Sequence, residues 1–238
     1  MSAWKTSNDP STVRRFDVLA LCDSGNKDFP THLMLCDETA QRDDVTSSTP
    51  LVVTHMMPPL RRADSHPVDT VGCPELSEEQ EKIIEVFLQE RFDEIKEVKL
   101  RDRSFKRRDQ YRIHPAFTKP NRDCSYWRFS CVGFVLAAYE ESGLVIMSAN
   151  VPKKNLEELK ALYSNSDLDN AQRRVDMGIG EGTEWPVLFG GYVLNALNEP
   201  HAKIHSSKGF VARSGDEFFP SRRGGVGFGS IIQALKPK

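Results

Sequence analysis

A cysteine stands one residue after a good helix N-cap in Phe129-Ser130-Cys131-Val132-Gly133-Phe134-Val135, with apolar residues behind it. A thiol so placed feels the helix macrodipole and the open amides of the first turn, and both favour the thiolate, the form that attacks a carbonyl carbon. The same position also suits a small buried hydrophobe, a common use of cysteine. A nucleophile needs a base, and two histidines stand in successive apolar stretches, Thr31-His32-Leu33-Met34-Leu35-Cys36 and Leu51-Val52-Val53-Thr54-His55-Met56. Side chains alternate across a strand, so His32 shares a face with Met34 and Cys36, and His55 shares one with Val53 and Leu51. If the strands pair, the imidazoles meet on one face, one to take the thiol proton and the other to orient it.

Other residues compete for chemistry. Cys124 stands seven residues before Cys131, but no apolar helix follows it directly, so it ranks second as a nucleophile. Cys22 and Cys36, on neighbouring strands with His32, invite a zinc reading. The absence of any Cys-x-x-Cys pair argues against it, because structural zinc sites use closely spaced ligand pairs. Gly224-Gly225-Val226-Gly227-Phe228-Gly229 lacks the following helix and distant acidic residue of a dinucleotide loop, and reads as a turned C-terminal segment. Arg14-Arg15, Arg61-Arg62, Lys106-Arg107-Arg108 and Arg222-Arg223 are balanced by acid elsewhere and read as solvated surface.

The elements that must position these residues follow from periodicity. Residues 16–22, 31–36 and 51–56 read as strands of an antiparallel meander, since their connections carry no crossover helix. The segment 61–74, with Pro67 and Pro74 and no period, reads as a loop. Ser77-Glu78-Glu79-Gln80 is a capping box, and Ile84, Phe87, Leu88, Phe92 and Ile95 carry an apolar stripe through about Val98. Residues 99–109 read as a charged turn and Tyr111–His114 as a short strand. The Cys131 helix runs from 130 to about 142 and is closed by Gly143. Further helices are expected at 153–164 and at 186–198, with Pro186 in the first turn. The first 15 residues read as a flexible tail, and 16–238 as one α+β domain.

Composition narrows the classes. The chain has 238 residues, 39% apolar and 28% charged, with a formal charge of −2, which argues against nucleic acid or an anionic membrane as the main partner. No stretch approaches the ~20 apolar residues of a spanning helix. The N-terminus is polar where a secretory signal is apolar, so a cytoplasmic location is expected. Five scattered cysteines read as reduced thiols. Neither a metal nor a cofactor is expected.

Cys131-Val132-Gly133-Phe134-Val135 resembles the Cys-x-x-Phe-Val helix start of NlpC-type papain-like thiol enzymes, and Tyr139-Glu140-Glu141-Ser142-Gly143-Leu144 is similar to the end of their helix. In that group the base begins a strand of the form His-apolar-x-apolar, and a third polar residue, often histidine, ends the next strand. Thr31–Leu35 and Leu51–His55 look like those two elements. The order His, His, Cys resembles the circularly permuted branch, which includes YiiX-like proteins and the lecithin retinol acyltransferase group. The resemblance covers residues 16–58 and 124–146. It implies a permuted papain-like fold with an insert at about 61–123. By resemblance, Cys131 is the nucleophile, His32 the general base and later acid, and His55 the orienting residue. The implied activity is a cysteine-dependent hydrolase or acyltransferase acting on the amide, ester or thioester of a peptide or acyl substrate. The alternative is a non-catalytic binding or scaffold protein in which Cys131 is a core residue.

Overall fold

The alternating apolar residues do become strands in the computed structural model, which describes residues 5–7, 13–23, 26–37, 51–65, 70–146, 151–163, 166–198 and 235–237. In chain order the elements are β1 (Lys5–Ser7), β2 (Val18–Asp23), β3 (Asn26–Cys36), β4 (Leu51–Met56), β5 (Leu60–Ser65), β6 (Thr70–Cys73), α1 (Glu78–Arg101), β7 (Phe117–Thr118), β8 (Arg128–Phe129), α2 (Cys131–Glu141), β9 (Lys153–Asn155), α3 (Leu156–Tyr163), α4 (Ala171–Asp176), β10 (Glu184–Pro186), α5 (Gly190–Asn198) and β11 (Leu235–Pro237). The class is α+β. A seven-stranded antiparallel sheet has the order β1-β6-β2-β3-β4-β5-β11, and the pairs β9/β10 and β7/β8 stand apart from it.

Strand alternation divides the sheet's buried side chains between two faces. Val18, Ala20, Leu33, Leu35 and Met56 join the helices in the larger core. Leu19, Leu21, Met34, Cys36, Leu51 and Val53 form a second buried cluster on the opposite face. Within the larger core, Phe87 of α1 meets Trp127, Phe129 and Phe134 at ring distances of 5.6, 6.4 and 6.4 Å, tying α1 to β8 and to the first turn of α2. The start of β2 is pinned to α2 as well. Phe16 holds a left-handed backbone (φ 66°), its N–H donates to the Cys36 carbonyl, and its own carbonyl accepts the Tyr139 hydroxyl.

Several expectations are corrected. The segment 61–74 supplies β5 and β6 to the main sheet instead of a loop, so the front of the expected 61–123 insert is sheet. Its strands lack an apolar period because polar contacts hold them: Arg62 Nε donates to Asp37 at 2.7 Å, and Arg61 Nε to the Met57 carbonyl at 3.1 Å. In β6, a Cβ on Gly72 would lie 2.3 Å from Leu197 Cδ1, so glycine is what lets α5 approach. Residues 5–7 of the expected tail pair with β6. Tyr111 makes only an isolated bridge to Phe129, not a strand through His114. Pro186 ends β10, and α5 begins at Gly190. Cys22 lies opposite Pro30 while Cys36 lies beyond Leu35, so the two cysteines sit at opposite ends of the β2–β3 pair and do not face each other. The Gly224–Gly229 segment and Arg222-Arg223 lie outside the described residues.

Candidate functional site

The two histidines come together. β3 and β4 pair with Met34 opposite His55, and β2 places Leu21 opposite His32, so both imidazoles share the face that carries Leu21 and Met34. His32 Nε2 and His55 Nδ1 are 2.9 Å apart, with the rings edge to face at 87°. Both residues are buried, at 3% and 0% exposure. Burial holds His32 down to about 4, and burial, the His32 ring and the Arg61 guanidinium push His55 well below the ordinary imidazole range. The pair is therefore neutral near pH 7. His55 Nε2 is buried with no hydrogen-bond partner.

Cys131 opens α2 as its sequence suggests. Ser130 is the N-cap, its hydroxyl accepting the Gly133 N–H at 2.9 Å, and no acidic residue stands in the first turn to compete with a thiolate. A Cβ at Gly133 would fall 1.8 Å from the Ala116 carbonyl oxygen, so glycine seats this turn against the segment before β7. Cys131 keeps partial exposure as a residue. Its thiol is nevertheless pushed up by burial, which outweighs the hydrogen bonds to sulfur from the amides of Leu33, Val132 and Cys131 itself. The expected net shift toward thiolate is thus reversed. The amides do favour the anion, but the packing of α2 on the sheet desolvates it more strongly.

The Leu33 amide locates the sulfur. The β3–β4 ladder stops at Met34, and the next amide toward the start of β3 is the one that meets Cys131. The sulfur therefore lies beside the backbone where His32 joins Leu33. The bond to His55 uses Nε2, leaving Nδ1, the ring nitrogen nearer the backbone. Ring and sulfur are not hydrogen-bonded to each other. The imidazoles lie on the sheet face opposite Leu33 and Leu35, and α2 packs on the Leu33 face.

Two tyrosines complete the cluster, and sequence reasoning missed both. The hydroxyls of Tyr111 and Tyr163 are hydrogen-bonded to each other. Burial raises both above the ordinary phenol range, and the nearby Cys131 adds to the rise. They are thus neutral donors beside the thiol, 52 residues apart in sequence, and no local signal links them. Cys124 is half-buried and gives its S–H to the Tyr126 carbonyl at 3.3 Å. Cys36 is buried. Among the described residues no three His, Cys, Asp or Glu are placed to hold a metal ion, and no helix is long and apolar enough to cross a membrane.

The chain matches no family model, no curated protein and no solved structure. What the site can do rests on its own geometry.

Proposed function

We propose that the protein is a thiol-dependent hydrolase or acyltransferase that forms an acyl-enzyme on Cys131, with a permuted papain-like arrangement of His32, His55 and the thiol. The observation that carries this reading is a buried neutral imidazole pair whose unused nitrogen belongs to the residue just before the amide that meets the sulfur. At pH 7 thiol and imidazole both rest neutral, so His32 acts as base during attack, not as one half of a preformed ion pair. At rest the imidazoles lie on the sheet face away from α2 and no hydrogen bond joins ring and sulfur, so substrate binding must first bring the His32 ring to the thiol; its Nδ1 lone pair then takes the thiol proton while sulfur bonds to the substrate carbonyl carbon. The resulting oxyanion is met by the Cys131 amide and by a tyrosine hydroxyl of the Tyr111–Tyr163 pair. Collapse breaks the bond to the amine, alcohol or thiol leaving group, which receives the proton from His32. Water or an acceptor hydroxyl, deprotonated by His32, then attacks the thioester and restores the thiol.

A non-catalytic role is favoured by one observation: burial dominates the thiol's ionisation, as for a packing cysteine. Turnover of a panel of ester, thioester and peptide amide substrates separates the two readings. Activity lost in Cys131→Ala with melting temperature retained supports the enzyme. Activity absent throughout, or unchanged in Cys131→Ala, supports the other.

A further inference from the structure

The run Lys106-Arg107-Arg108 reads in sequence as solvated surface, and nothing in the thiol site uses it. The structure coils residues 107–110 into a 3-10 turn and sets Lys106 and Arg108 along one side of a cavity of about 600 Å³. Asn170, Gln172 and Arg173, at the start of α4, line it too, together with Ser104 and the carboxylates Asp109 and Asp176. That volume lies within the range of about 300–1,000 Å³ typical of small-molecule sites, which are mostly apolar. Here every lining residue is polar or charged, so a ligand must be held by charge and hydrogen bonds.

Local carboxylates are engaged in building the turns. Asp102 accepts the N–H and hydroxyl of Ser104 at 2.8 and 2.6 Å, and Asp109 accepts the Lys106 N–H at 2.8 Å. Asp176 accepts Gln172 and Arg173, both at 3.2 Å. Between Lys99 and Asp109, six Lys and Arg residues stand against these two aspartates, Asp102 and Asp109, in a chain whose formal charge is −2. Of the six, Arg101 pairs with Glu97 on α1, and Arg108 is also engaged within the chain. The lining itself carries Lys106, Arg108 and Arg173 against Asp109 and Asp176, a surplus of one positive charge to which the neighbouring cations of the run add.

The floor is also pre-organised. Arg173 is only 8% exposed and is fixed by Asp176, with Asp109 at 3.8 Å. Asn170 Oδ1 is taken by the Arg173 N–H at 3.0 Å, which leaves its Nδ2 to donate. Gln172 gives Nε2 to Asp176, which leaves its carbonyl oxygen to accept. Cationic and amide donors beside such an acceptor suit a tetrahedral oxyanion attached to a hydroxylated body.

We infer that this cavity binds a phosphorylated polyhydroxy compound, the phosphate on Lys106 and Arg108 and a hydroxyl on Gln172. Ribose 5-phosphate, inorganic phosphate and ribose are titrated calorimetrically into the full chain at low ionic strength. Ribose 5-phosphate should bind one to one, phosphate more weakly, and ribose not measurably. Lys106→Ala/Arg108→Ala, at two exposed positions, should weaken ribose 5-phosphate by about tenfold or more with the melting temperature kept, while Cys131→Ala should bind as the unaltered chain does. No heat at millimolar ligand, ribose binding as well as its phosphate, or affinity unchanged in the double variant would each overturn the assignment.

Discussion

The orphaned nitrogen of His55 makes the His32 tautomer the sharpest place to perturb the site. For His32 to accept the thiol proton at Nδ1, its own proton must sit on Nε2 and donate to His55 Nδ1 across 2.9 Å. His55 must then carry its proton on Nε2, which is buried and without an acceptor. The opposite tautomer reverses the shared bond, puts the His32 proton on Nδ1 and disables the base. An unmet buried group costs about 1–3 kcal/mol in either case, so neither tautomer is strongly preferred. His55→Asn favours the first tautomer by setting Oδ1, an acceptor, in the place of Nδ1. His55→Ala strips the ring of its partner and leaves His32 Nε2 unpaired. The loss of stability is about 2 kcal/mol, reduced by relief of the unpaired His55 atom. Acylation of Cys131 by an activated ester at pH 7 should fall about 100-fold or more in His55→Ala and be kept or raised in His55→Asn. The ¹⁵N spectrum of His32 should move to the Nε2–H form in the asparagine variant. Equal losses in both variants with the tautomer unmoved, or alanine reacting like the parent, would refute this reasoning.

Acid should destabilise the fold in a defined window. His32 is lowered from 6.5 to about 4 by burial, so the unfolded chain takes its proton first as pH falls. Stability from this group is complete above pH 6.5 and is lost between 6.5 and about 4, by roughly 3 kcal/mol; urea midpoints across that range measure it, and a flat profile contradicts the burial. Tyr111→Phe and Tyr163→Phe should each slow acylation of Cys131 by about tenfold to a hundredfold while leaving its alkylation by iodoacetamide near the parent rate. Gly133→Ala places a methyl 1.8 Å from the Ala116 carbonyl oxygen and should cost more than about 2 kcal/mol in thermal unfolding. Gly143→Asn, at φ 81° in open space, should cost less than about 1 kcal/mol.

What was legible in the chain was what local pattern determines. Alternating apolar residues set β2 to β4 and the face shared by the histidines, the Ser77–Gln80 box starts α1, and Gly143, at φ 81°, follows α2 in the left-handed region. β5 stayed hidden because Arg61 and Arg62 sit in it, and their partners, Met57 and Asp37, are supplied by the fold. β6 stayed hidden because Gly72 looks like a turn residue until α5 packs over it. The thiol's ionisation is not legible locally for the same reason. A helix start is visible in Ser130-Cys131, whereas the sheet that buries the sulfur is not. Tyr111 and Tyr163 carry no mark in their own neighbourhoods, since only packing brings the hydroxyls to each other and to Cys131.

The account turns on His32 acting upon Cys131. Its most direct test is the rate of acetylation by p-nitrophenyl acetate, followed by intact mass and peptide mapping, in the parent chain and in His32→Gln. The acetyl group should appear on Cys131 at pH 7 and form far more slowly once His32 is glutamine. An adduct on Cys124 or Cys36, or one on Cys131 at an undiminished rate without the imidazole, contradicts it.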